Sequence, residues 1–187
     1  MTKKTSKKTS KKTTKKTTKK TGTKNATVPV RYVPRSLSSK NRKAQKAELK
    51  KSREAYRNTK KTRYYTRKKM PSFKSKTSPH IIKARKVYGI EKISPSTKLA
   101  KATKCSLKTL RRIEQKGQGA YYSSGSRPNQ TAHSWGRARL ASAITGGKAS
   151  AVDLKLLEKG CHPSSKALKL AKKTKGYGSR RVPQVKL

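Results

Sequence analysis

SPHIIKARKVYGIEKISPSTKLAKATKCSLKTLRRIEQKG (residues 78–117) decides the fold, because three helix starts and two helix stops can be read from it. Ser78 followed by Pro79 is an N-cap and a first helical position. The hydroxyl can take an orphan amide there, and proline loses nothing where no intrahelical partner exists. Ile81, Ala84, Val87 and Tyr88 then share one face, and Gly89 supplies a left-handed stop. Ser94-Pro95 repeats the opening signal. Ser106 opens a third helix that turns Leu107, Leu110 and Ile113 inward and ends at Gly117.

The same punctuation continues downstream. Asn129 or Thr131 opens a fourth helix through Trp135, Ala138, Ala141 and Ile144 to Gly146-Gly147. Ser150 with Asp153 reads as a capping box for a fifth, carrying Leu154, Leu156 and Leu157 to Gly160. A sixth, over 165–175, shows Leu168 and Ala171 before Gly176. About 100 residues of short helices can close one small core. The fold class expected is therefore mainly α, with a compact multi-helix domain over residues 78–176 and a basic C-terminal tail over 177–187.

Upstream, residues 25–34 read as an extended arm: Val28, Val30 and Tyr32 alternate, and Pro29 and Pro34 exclude helix. Ser38 or Ser39 caps a helix over 38–56 whose apolar face is thin: Ala44, Ala47, Leu49, Ala55 and Tyr56. Such a helix must lie on another surface, either the rest of the protein or a polyanion. Residues 60–76 interleave Tyr64, Tyr65 and Phe73 with Lys61, Arg63, Arg67, Lys68, Lys69 and Lys74. Aromatics among cations can stack on exposed bases, and they can equally anchor a loop to the domain. Both readings are open for this basic arm of residues 25–77.

Residues 1–24 form a tail of a different kind. From 3 to 21 the pattern Lys-Lys-Thr-(Ser/Thr) repeats every four residues, with ten lysines and no acid, aromatic or aliphatic side chain. Nothing in it can offset the entropy of ordering a backbone, and stacked lysines with β-branched Thr disfavour a helix, so a disordered polycation is expected. Lys3, Lys4, Lys7, Lys8, Lys11, Lys12, Lys15, Lys16, Lys19 and Lys20 can each neutralise a backbone phosphate without reading a base. The interleaved hydroxyls would each gain about −1.5 to −2 charge on phosphorylation. A solubilising or nuclear-localisation tail is the blander use of such a segment.

Charge bounds the partner. The chain holds 54 Lys and Arg against 6 Asp and Glu, a formal net charge of +48. A domain with so little internal neutralisation repels itself, which favours a state bound to a concentrated polyanion, above all nucleic acid. No apolar run follows the basic tail as a signal peptide would require, and no stretch approaches the roughly 20 apolar residues of a membrane span. A membrane partner, a small-molecule substrate and a cofactor are not expected. Cys105 and Cys161 cannot make a disulfide framework, and their spacing says nothing about proximity. With His80, His133 and His162 they show no paired metal-ligand spacing, so no metal is expected.

Two constellations are candidates for chemistry. Residues 99–113 look like a helix-turn-helix: Ala100 falls at the crossing, Cys105 after the turn, Ser106 at the cap, and Leu110 and Ile113 inside. Ser106, Lys108, Arg111 and Arg112 would then face a major groove. Lys104 departs from the pattern, since that turn position prefers glycine. An ordinary helical hairpin with a basic exposed face is the blander alternative, and the departure at Lys104 favours it. Residues 117–130 read as a loop in which freed amides, hydroxyls and Arg127 build an anion nest, or in which Tyr121 and Tyr122 pack under Trp135 while Arg127 bonds to carbonyls. The six acids, Glu48, Glu54, Glu91, Glu114, Asp153 and Glu158, are scattered, and no pair is placed for acid–base work, so an enzyme is not expected.

GAYYSSGSRPNQTAHSWGRARLASAITGGKASAVD, together with RYVPRSLSS and SPHIIKARKVYGIEKI upstream, resembles an uncharacterised domain family that recurs in large nucleocytoplasmic DNA viruses and in some tailed phages. The resemblance covers residues 31–161. It implies a viral setting and brings no reaction and no catalytic residues. Charge and resemblance together give the expected function: a non-enzymatic, virion-associated protein that binds and condenses double-stranded DNA. It would reside with the genome or inner capsid, and in the host nucleus or cytoplasm during assembly. A minor capsid or cement protein that contacts other virion proteins is the alternative, and an RNA-binding protein of ribosomal type is a third. The cations expected to meet nucleic acid are the ten tail lysines with Arg63, Arg67, Lys108, Arg111, Arg112 and Arg127.

Overall fold

A computed structural model describes residues 26–58, 64–174 and 182–187. The lysine tail and Arg63 lie outside the described residues. In chain order the elements are β1 (Thr27–Pro29), a 3-10 turn (Val30–Tyr32), α1 (Ser39–Arg57), α2 (Pro79–Tyr88), α3 (Thr97–Thr103), α4 (Leu107–Ser123), α5 (Ala132–Ile144), α6 (Lys148–Val152), α7 (Leu154–Gly160), α8 (Lys166–Lys173) and β2 (Gln184–Lys186). The protein is mainly α-helical, as the punctuation implies.

α5 is the central element. Its Leu140, Ala141, Ala143 and Ile144 are fully buried, and α2, α4, α6 and α8 pack on it. Ala84, Leu99, Leu110, Ile113, Leu157, Ala167, Leu168 and Ala171 complete the main core. Several caps form where they were read: Ser38, Ser106 and Ser165 each accept an amide at the start of α1, α4 and α8. Pro79 opens α2, and Gly89 closes it at φ 61°. Lys104 occupies the left-handed region at φ 52°, so the turn between α3 and α4 has the conformation for which glycine is preferred.

Four helix readings need correction. The third helix does not stop at Gly117: α4 runs to Ser123, and residues 117–123 are helix rather than loop. Gly117 is where α4 crosses α5, since a Cβ there would lie 2.6 Å from the Cα of Gly136. The second start is set by Ser96, which accepts from the Leu99 amide, and not by Ser94. Asp153 caps nothing: it sits between α6 and α7, and Ser150 donates to the carbonyls of Ser142 and Ala143. Finally, α1 buries Gln45, Glu48, Leu49 and Ser52, a stripe at helical spacing that is polar in three of its four members. Ala44 and Ala47 face solvent.

The arm is fastened by partners distant in sequence. β1 pairs antiparallel with β2, with Val28 opposite Val185, so part of the expected C-terminal tail is a strand. Val28, Tyr32, Val33 and Leu49 form a second buried cluster against which Trp135, Val185 and Leu187 pack. Trp135 meets the edge of Tyr32 at 5.6 Å rather than covering Tyr121 and Tyr122. Cys105 and Cys161 form a disulfide, which their spacing did not reveal. Backbone bonds flank it: Ser106 donates to Gly160 and His162 donates to Lys104, joining the α3–α4 turn to the end of α7.

Candidate nucleic-acid interface

The segment after α1 is held down by three polar clamps. Glu48 accepts from the Tyr65 hydroxyl at 2.9 and 3.0 Å and from the Lys68 amide at 2.8 Å. Arg67 lies flat on the Tyr121 ring at 3.8 Å and donates to the Ser126 hydroxyl at 2.8 Å. Asn129 accepts from the Met70 amide and donates to the carbonyls of Met70 and Phe73, so one side chain satisfies both ends of a tight turn. The Asn41 amide also donates to the Ser72 hydroxyl. Buried Glu48 is tolerated because its hydrogen bonds are made.

Between the Asn129 clamp and the start of α2, residues 74–77 span the gap exposed. They form one wall of an open cleft of about 1370 Å³. α5 lines it through Ser134, Trp135 and Ala138, together with the cap residue Thr131 and with Lys148 and Val152 of α6. Arg31, Lys74, Lys76, Lys92, Arg127 and Lys148 line it, and among the described residues Glu91 is the one carboxylate that does. Glu91 is itself bound by Arg85, 3.1 Å away. Phe73, Trp135 and Ile81 add apolar surface. A cationic trough with aromatic groups is a shape suited to a phosphate backbone with accessible bases.

His80 lines the same cleft. Its pKa is held below the ordinary histidine value, chiefly by burial and then by the charges of Lys83 and Arg127. At neutral pH the cleft therefore draws its charge from Lys and Arg. The loop of residues 124–131 does not present a free nest of hydroxyls: Ser126 takes Arg67 and donates to the Arg127 carbonyl, and Thr131 with Ser134 closes the start of α5 in a reciprocal capping box.

Of the expected phosphate contacts, Arg127 is exposed and lines the cleft. Lys108, Arg111 and Arg112 are exposed on α4 and do not line it. Arg67 is committed to Tyr121 and Ser126. Sequence reasoning missed Arg31, Lys74, Lys76, Lys92 and Lys148 as a group, because the cleft unites segments more than 100 residues apart and its only local trace is Asn129, at φ 57°.

Asp153 and Glu114 are engaged in ion pairs. Asp153, with its side chain 0% exposed, receives Lys116 at 2.6 Å and Arg139 through two bonds of 2.8 and 2.9 Å. Glu114 lies 3.8 Å from Arg137. Among the described residues no group of three or more His, Cys, Asp or Glu could hold a metal, and no helix is long and apolar enough to cross a membrane.

Comparison with curated proteins gave no match, and comparison with solved structures gave none either. The family comparison is positive over residues 29–169, a span that includes α1 to α7 and the residues lining the cleft. By that match the chain belongs to DUF5824, a family of unknown function.

Proposed function

We propose that this is a non-enzymatic protein that binds and condenses double-stranded DNA, with exposed cations of the helical body and the lysine tail supplying the attraction. The observation that carries the reading is the unneutralised charge. Six acids face 54 bases, and ion pairs among the described residues engage only Arg85, Lys116, Arg137 and Arg139. A surface with that excess gains free energy by releasing counterions from a phosphate backbone. The cleft gives part of the charge a shape. The resemblance to domains of large DNA viruses and tailed phages supports a virion as the setting, with the genome as the polyanion.

Titration of the full chain with duplex DNA across salt concentrations tests this. The slope of log affinity against log salt should be steep, and each lost phosphate contact should reduce it by about 0.9. Replacing the ten tail lysines with Gln should remove most of it, and Lys74→Ala with Lys76→Ala and Arg127→Ala a smaller part. Absence of binding at low salt would overturn the reading. Retention of the protein on the shell after the genome is released from disrupted particles would favour the minor capsid role instead.

A further inference from the structure

We propose that Tyr56, Tyr64 and Tyr122 form a stacking platform for the unpaired bases of single-stranded DNA, a reading that rests on the DNA-binding function above and deepens it. Three separate parts of the chain bring these rings together: the end of α1, the segment following it and the end of α4. Tyr64 lies nearly parallel to Tyr122, with centroids 4.4 Å apart and planes at 16°, and Tyr56 continues the stack at 6.1 Å and 22°.

The stack is left in water. Four large apolar side chains are exposed among the described residues, and two are its members, Tyr64 at 63% and Tyr56 at 40%. The neighbouring aromatic, Tyr65, is bonded to Glu48, so the anchoring of the segment does not require Tyr64 to be aromatic. Cations neighbour the rings in sequence. Arg57 is exposed in the last turn of α1, Lys68 and Lys69 are exposed beyond Tyr64, and Arg67 sits on Tyr121, whose ring meets Tyr122 edge-on at 4.9 Å. Glu54 is the acid closest in sequence to Tyr56, between Arg53 and Arg57. Exposed rings in a basic segment suit a strand whose bases are free to splay, whereas a duplex keeps its bases stacked on one another.

The full-length protein should be titrated, at one salt concentration, with oligo(dT) and with duplex DNA. Tyr64→Ala should weaken oligo(dT) binding about 5- to 150-fold, the effect of one base–aromatic stack, and leave duplex binding within about twofold. Tyr64→Phe should bind oligo(dT) as the natural chain does, because the ring and not the hydroxyl stacks. Tyr56→Ala, at an exposed helix end, repeats the test should Tyr64→Ala lose its far-ultraviolet circular dichroism. Equal oligo(dT) binding by the natural chain and both alanine variants overturns the platform, as does an equal loss on duplex. If the natural chain binds neither nucleic acid, the DNA-binding reading itself falls.

Discussion

At Gly117 one added carbon would meet the Cα of Gly136 at 2.6 Å, and neither backbone can step aside without moving a helix. Gly117→Ala should therefore cost about 1–3 kcal/mol as an overpacked contact, read as a lower urea midpoint. Gly89 has nothing within 4 Å, so Gly89→Ala should cost only its left-handed conformation, about 1–2 kcal/mol. Asp153 carries the opposite kind of constraint. Asp153→Asn leaves the part-exposed Lys116 and Arg139 without their shared carboxylate and should cost about 1–3 kcal/mol, again by urea unfolding. Two titrations set the pH limits. His80 has a lowered folded pKa, so the unfolded chain binds the extra proton and stability should fall as pH drops below the ordinary histidine value. Tyr88, whose hydroxyl donates to the Ile144 carbonyl, is pushed up to about 12 by burial, so stability should fall as pH rises from 10 towards 12. Thermal melts of His80→Gln and Tyr88→Phe, each flatter than the natural chain in its own window, check both signs.

Among the elements, α1 is the one whose inner face was hidden from sequence reading. Periodicity finds apolar stripes, and this helix buries Gln45, Glu48 and Ser52 beside Leu49 because their hydrogen bonds go to other segments. Gln45 donates to the Tyr32 carbonyl, Ser52 to that of Tyr122, and Glu48 accepts from Tyr65 and Lys68. Glu48→Gln should loosen that clamp, and hydrogen exchange at the Lys68 amide should rise while exchange in α5 stays unchanged. Helix starts at Ser38, Ser106 and Ser165 were legible because a cap is a local device: hydroxyl, amide and turn lie within four residues. The end of α4 was not, since a glycine placed for a contact 19 residues away looks like a stop. The cleft was illegible for the same reason, its cations being ordinary surface lysines until Asn129 holds residues 70–73 in place. Of the described residues expected beforehand to contact phosphate, Arg127 is the one that lines it.

For the whole molecule, charge sets a standing tension. With a net +48, self-repulsion works against the compact state, and added salt should raise the thermal midpoint even as it weakens DNA binding. Opposite responses of stability and affinity in one salt series would separate the two effects of the same lysines. The Cys105–Cys161 bridge works against that tension. Closing a loop across a sequence separation of 56 should contribute about 4 kcal/mol through the unfolded chain, so reductant should lower the urea midpoint. The bridge has a mechanical consequence too. α4, α5, α6 and α7 all lie inside the loop, so tension passing along the chain bypasses them. Stretched from its ends, the oxidised protein should extend roughly 190 Å less than the reduced one. A pull applied between the lysine tail and the C-terminal strand would then be borne outside the disulfide loop, leaving Gly117, Gly136 and Asp153 shielded within it.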